Sequence, residues 1–107
     1  MSILDQVMER TIFRVIAQAG EARAQAYSAL DSLRKKDIAG ARRSIEQARS
    51  ALGDVHGIHA DLVMREARGE DVHISLLLVH AEDILMAASS EIALIERIIE
   101  IVAEITS

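Results

Sequence analysis

The amino-acid sequence predicts an all-α fold: one three-helix up-down-up antiparallel bundle that assembles into a symmetric oligomer. Three observations carry that expectation. Half of the residues are apolar, yet the apolar mass is Ala, Leu, Ile and Val, with one Phe, one Tyr, no Trp and no Pro; Ala and Leu are strong helix formers, and no proline interrupts them. Apolar residues recur at steps of three and four through three long segments, which is the period of a helix face. The third segment is apolar on nearly all sides, more than a lone three-helix bundle covers. At 107 residues the chain is the size of one small domain, spanning 1–107.

The first helix is expected over about 3–34, where Ile3, Val7, Ile12, Phe13, Ile16, Ala19, Ala26, Ala29, Leu30 and Leu33 share a face. Gly20 falls inside it, at a cost of about 1 kcal/mol against alanine; it marks either the close approach of another backbone or a tolerated surface position. Arg34-Lys35-Lys36 places positive charge where a helix C-terminus prefers it, and Asp37 suits an N-cap. The second helix follows over about 38–68, with Ile38, Ala41, Ile45, Ala48, Leu52, Val55, His59, Leu62 and Val63 in register. Gly53 and Gly57, four apart, either kink it or admit a neighbouring helix. Gly69-Glu70-Asp71 is the strongest stop signal in the chain, because glycine suits the position just past a helix end.

The third helix is expected over about 75–105. Leu76, Leu77, Leu78 and Val79 surround one turn, and Ile84-Leu85-Met86 covers most of another. Ile92, Leu94, Ile95, Ile98, Ile99, Ile101 and Val102 extend the apolar surface. A helix apolar nearly all round must be buried nearly all round, and self-association is the economical way to do it, since equivalent helices can meet on a symmetry axis.

Composition removes several classes of function. Seventeen acids against twelve bases give a formal charge of -5, which leaves no footprint for a nucleic-acid backbone. The absence of cysteine removes disulfides, thiolate catalysis and Cys-based zinc sites. Met1 to Gln6 lacks a basic segment leading into an apolar run, so a secretory leader is not expected. Uncharged stretches such as 74–79 and 84–90 fall far short of the roughly twenty residues that a membrane span requires. A cytoplasmic protein without direct membrane insertion is the expectation.

Chemistry concentrates on the third helix. Asp83 stands four positions after Val79, seven after Leu76 and three before Met86, so its carboxylate projects from an apolar face. A buried carboxylate must be protonated, paired or bound to a cation. His80 lies three residues earlier, close by on the helix surface. His56 and His59, three apart on the second helix, form a possible zinc pair, but no acidic helper is spaced as in a known zinc motif; His73 follows the Gly69 break in a loop.

The segment Val79-His80-Ala81-Glu82-Asp83-Ile84-Leu85-Met86 resembles the signature of the lactose/cellobiose-type IIA components of the bacterial phosphoenolpyruvate-dependent sugar phosphotransferase system, usually His-Ala-Gln-Asp-His-Leu-Met. Ala19-Gly20-Glu21-Ala22-Arg23 and Glu66-Ala67-Arg68-Gly69 resemble that family's Ala-Gly-x-Ala-Arg and Glu-Ala-x-Gly, at similar spacing over nearly the whole chain. The resemblance implies three helices per subunit, a homotrimer, and a phosphohistidine carrier. It matches His80 to the histidine that takes a phosphoryl group from the histidine-containing phosphocarrier protein and passes it to a cysteine of the IIB component. It matches Asp83 to the aspartate that meets its symmetry mates on the trimer axis and binds a metal, usually Mg2+, one per trimer; a hard cation suits such oxygen ligands.

Three positions depart from the family pattern. Ile84 replaces the second histidine, Glu82 replaces the glutamine, and His59-Ala60 stands where the second helix usually has Gln-Thr. Glu82 adds negative charge near an incoming phosphoryl group, an unfavourable effect unless a neighbour such as Arg65 compensates. The alternative that these departures leave open is a regulatory or adaptor trimer of the same fold that has lost phosphotransfer.

Overall fold

The computed structural model describes residues 3–107, with side chains from Gln6 onward. Its helices are α1 (Ile3–Arg34), α2 (Ile38–Ala67) and α3 (Leu76–Thr106), each within one residue of the bounds set by periodicity. The face assignment of Ile3 lies outside the described side chains, as do Met1 and Ser2 altogether. The helices run up, down and up in a bundle 56 × 24 × 19 Å.

Local chemistry explains both turns. After α1, Lys36 donates its backbone N–H to Leu33 O and Asp37 donates to Ser32 O, the paired bonds that close a helix through a left-handed residue. Lys36 occupies that residue's place at φ 62°, where an L side chain costs about 1 kcal/mol and glycine does not. Asp37 then caps α2, its carboxylate accepting from the Gly40 N–H at 2.9 Å. A Cβ at Gly40 would meet Asp37 Oδ2 at 2.1 Å, so any larger residue there would make the capping side chain shift. The pattern repeats after α2, where Gly69 at φ 85° donates to Glu66 O and Glu70 donates to Arg65 O. Ser75 caps α3 by accepting from the Leu78 N–H at 3.1 Å.

The core is a set of three seams with alternating steps of three and four: Ile12, Val15, Ala19, Ala22, Ala26 and Ala29 on α1; Ala41, Ile45, Ala48, Leu52 and Val55 on α2; Leu78, Ala81, Leu85, Ala88, Ile92, Ile95 and Ile99 on α3. Such alternation is the packing pattern of coiled-coil-like bundles, and the alanines let the backbones approach closely. Val7 and Phe13, expected on the core face, are instead about half exposed. Phe13 sits one residue, hence about 100°, off the seam that Ile12 and Val15 define, and Val15 and Ala22, left out of the expected face, belong to that seam. Val63 on α2 is exposed for the same reason.

Gly20, Gly53 and Gly57 each open on free space, so none marks a close approach within the protomer, and α2 stays helical through its two glycines. Between α2 and α3 the antiparallel register is marked by Arg42–Glu100, Arg49–Glu96, His56–Ser89 and His59–Glu82. Arg23 ties α1 to α3 through a two-point contact with Glu91, Nε to Oε2 at 3.0 Å and Nη2 to Oε1 at 2.9 Å. Glu91, and after it Tyr27, holds the Arg23 guanidinium above its ordinary pKa by hydrogen bonding to its charged form. Arg23, singled out in the sequence only as part of a motif, is thus a structural tie. None of the described helices is long and apolar enough to cross a membrane.

Candidate functional site

Ser75 caps α3, and its first turns carry Val79, His80, Glu82 and Asp83 in different directions because each residue turns the helix by about 100°. Leu78, Ala81 and Leu85 face the core. His80 is exposed, with its imidazole open to a partner's surface rather than enclosed in a cavity. Asp83 is also exposed in the protomer, so the burial expected for it is not supplied by this chain's own bundle. It belongs to an apolar stripe: Leu76 (86% exposed), Val79, Met86, Leu94, Ile101 and Ile105 (76%) run along the outward side of α3.

The other histidines are engaged or remote. His56 Nε2 lies 2.9 Å from Ser89 Oγ. His59 Nδ1 bonds the Glu82 carboxylate; since an ionised carboxylate only accepts, Nδ1 carries the proton. Although three apart, His56 and His59 therefore meet different residues of α3. His73 lies exposed in the connection between α2 and α3, as expected. Among the described residues no group of three or more His, Asp or Glu side chains is placed to hold a metal ion within one chain.

One reading of the altered signature changes. The neighbour that meets the Glu82 carboxylate is His59, not Arg65, whose Nε is committed to Asp61 Oδ2 at 3.1 Å, one helical turn back. Sequence could not reveal this, because the pair joins residues 23 apart on different helices. Ile84 packs half-buried against the core, an environment that suits its aliphatic side chain. A cleft of about 240 Å³ opens beside these residues, with His59, Glu66, Glu82 and Asp83 among its walls and Leu62, Leu78 and Val79 as apolar lining.

The hairpin of three long helices is matched by solved structures, among them a phosphotransferase-system enzyme IIA. The solved structure of PtcA from S. mutans superposes with a TM-score of 0.88 at 25% identity, covering 96% of this chain and 99% of that one. The cellobiose-specific enzyme IIA from Bacillus anthracis gives 0.84 at 31% identity, over 99% and 94% of the two chains. The model of the lactose/cellobiose-specific IIA subunit family matches residues 10–103, and the chain belongs to that family. Relatives include the lichenan-specific phosphotransferase enzyme IIA component of Bacillus subtilis, 33% identical over 96% of this chain and 94% of its own length. Another is the N,N'-diacetylchitobiose-specific EIIA component of Escherichia coli, 34% identical over 88% and 81%. The protein is a IIA component of a lactose/cellobiose-type phosphotransferase system, a phosphoryl carrier of sugar uptake.

Proposed function

We propose that His80 is the phosphoryl acceptor, taking the group from the histidine-containing phosphocarrier and passing it to a cysteine of the IIB component, in the cytoplasm. The observation that carries this is the placement of His80: it alone among the four histidines combines the signature position with an exposed imidazole on α3. An imidazole nitrogen is nucleophilic near neutral pH. Its lone pair forms the N–P bond as the N–P bond to the donor histidine breaks, and the donor keeps the electron pair; the second transfer forms an S–P bond to the IIB thiolate and frees His80. Such transfers depend on positioning and charge stabilisation more than on further covalent chemistry, in keeping with a nucleophile on an open surface. Support for the donor comes from the solved complex of the E. coli chitobiose IIA with HPr, whose IIA chain matches with a TM-score of 0.76 at 30% identity.

The same proposal takes the working form to be a homotrimer built around α3, whose outward stripe would be covered by the other copies. A second exposed face is available on α1, where Phe13, Ala17, Gly20, Ala24 and Tyr27 follow at steps of four and three; small residues there, Gly20 above all, admit a neighbouring helix. Three Asp83 carboxylates brought together on the axis would form an all-oxygen set suited to Mg2+. A bound cation there would neutralise their mutual repulsion.

Incubation with phosphoenolpyruvate, enzyme I and the phosphocarrier tests the acceptor. One phosphoryl group per chain is expected in wild type and in the His56→Ala and His73→Ala variants, and none in His80→Ala. Full labelling of His80→Ala would remove His80 from the mechanism.

A further inference from the structure

Glu82 and His59 are two of the positions where the chain departs from its family pattern, and the structure brings them into direct contact. His59 Nδ1 on α2 donates to Glu82 Oε2 on α3, with the two side chains 33% and 27% exposed. Glu82 is two residues after His80, so it points away from that imidazole and toward α2. Its charge can still reach that side of the helix at low ionic strength, where the Debye length is about 30 Å at 0.01 M. The surroundings are otherwise acidic: Glu66 and Asp83 line the same cleft as Glu82, and Arg65 is held by Asp61. His59 is therefore the basic group that meets the Glu82 carboxylate. A phosphoryl group arriving at His80 brings further negative charge into this acidic neighbourhood.

We infer that His59 and Glu82 form a positioning pair for phosphoryl uptake, in which His59 holds the Glu82 carboxylate against α2 and keeps its charge from opposing the phosphoryl group at His80. The inference rests on His80 being the acceptor. Neither member touches the transferred group; His59 acts on it through Glu82. The damage done by removing each partner should therefore be unequal. Without His59, the carboxylate is no longer held against α2, and its charge adds to the field that opposes an incoming phosphoryl group. Without the Glu82 charge, His59 has nothing to restrain, and transfer should proceed.

The test is the initial rate of phosphoryl uptake from the phosphorylated phosphocarrier at low and at 0.5 M salt. It compares the full-length wild type with His59→Leu, Glu82→Gln and the double variant, alongside denaturant stability for each; leucine keeps bulk but offers no donor to the carboxylate. His59→Leu should slow uptake roughly tenfold at low salt, equivalent to about 1.4 kcal/mol of barrier, with the same labelling end-point and a smaller defect at high salt. Glu82→Gln should stay within about twofold of wild type, and the double variant should recover to that level, the scale set by a surface electrostatic effect. His59→Ala serves in the same way if His59→Leu does not fold. A purely structural tie would instead make both single variants lose stability alike and leave no salt-sensitive rate difference. Equal slowing by Glu82→Gln and His59→Leu, an unchanged rate in His59→Leu, or no recovery in the double variant would overturn the inference. If wild type is labelled at His80 while His59→Leu matches it, only the pair fails; if wild type takes no label, the pair and the acceptor assignment fail together.

Discussion

Both sides of α3 carry a line of large apolar residues, in opposite circumstances. The inner side, from Leu78 to Ile99, is buried against α1 and α2, whereas the outer side, from Leu76 to Ile105, meets solvent in the protomer. The inner seam keeps a regular three-four alternation with alanines where the helices approach. The outer stripe is interrupted by Asp83 and Arg97, groups that a closed core would have to neutralise. The contrast teaches that apolar periodicity alone does not tell a protomer core from a face left exposed, and that polar interruptions of the stripe do.

The outer side gives the largest expected effect. Leu94→Glu would place three carboxylates in an assembled interface, at several kcal/mol apiece if unpaired. Sedimentation equilibrium should then show a trimeric wild type and a monomeric variant of unchanged helical circular dichroism. A variant that stays assembled would remove Leu94 from any interface. The inner side should respond in the opposite way. Leu85 is fully buried, and Leu85→Ala should lower folding stability by about 3–4 kcal/mol through lost burial and the cavity left behind, read as a reduced urea midpoint.

A change that touches neither side sharpens the comparison. Lys36→Gly relieves the left-handed backbone at the α1–α2 turn and should raise stability by about 1 kcal/mol with no change in association. A midpoint that falls instead would mean that the lysine side chain contributes more than its backbone strain costs. The smallest shift in stability is expected for Asp83→Leu, since an apolar side chain replaces a clustered acid at little cost, within about 1 kcal/mol. The variant should still assemble while losing any protection by Mg2+ against thermal unfolding; retained Mg2+ dependence would place the ion elsewhere, and complete unfolding would contradict the axial position of Asp83.

Much of this was legible because helices are written locally. Asp37 and Ser75 act as caps and Gly69 as a stop, since each works on backbone groups a few residues away. The left-handed Lys36 was not legible, because the side chain does not advertise the conformation that the paired turn bonds impose on it. Phe13 was misplaced because two adjacent apolar residues, Ile12 and Phe13, leave the phase of the seam ambiguous by about 100°. The importance of Gly40 emerged only once the Asp37 carboxylate had a position.

The sequence by itself determined three helices, their ends within a residue, the excess of apolar surface on the last of them and the signature that carries His80 and Asp83. All of these depend on short-range periodicity and on backbone capping. Tertiary structure decided which apolar residues became core, that Arg23 would clasp Glu91, that Arg65 would be committed to Asp61, and that His59 would take the Glu82 carboxylate. Long side chains on separate helices choose partners by the rotation and register of whole helices, and those are set when the three seams close together, not by the spacing along any one of them.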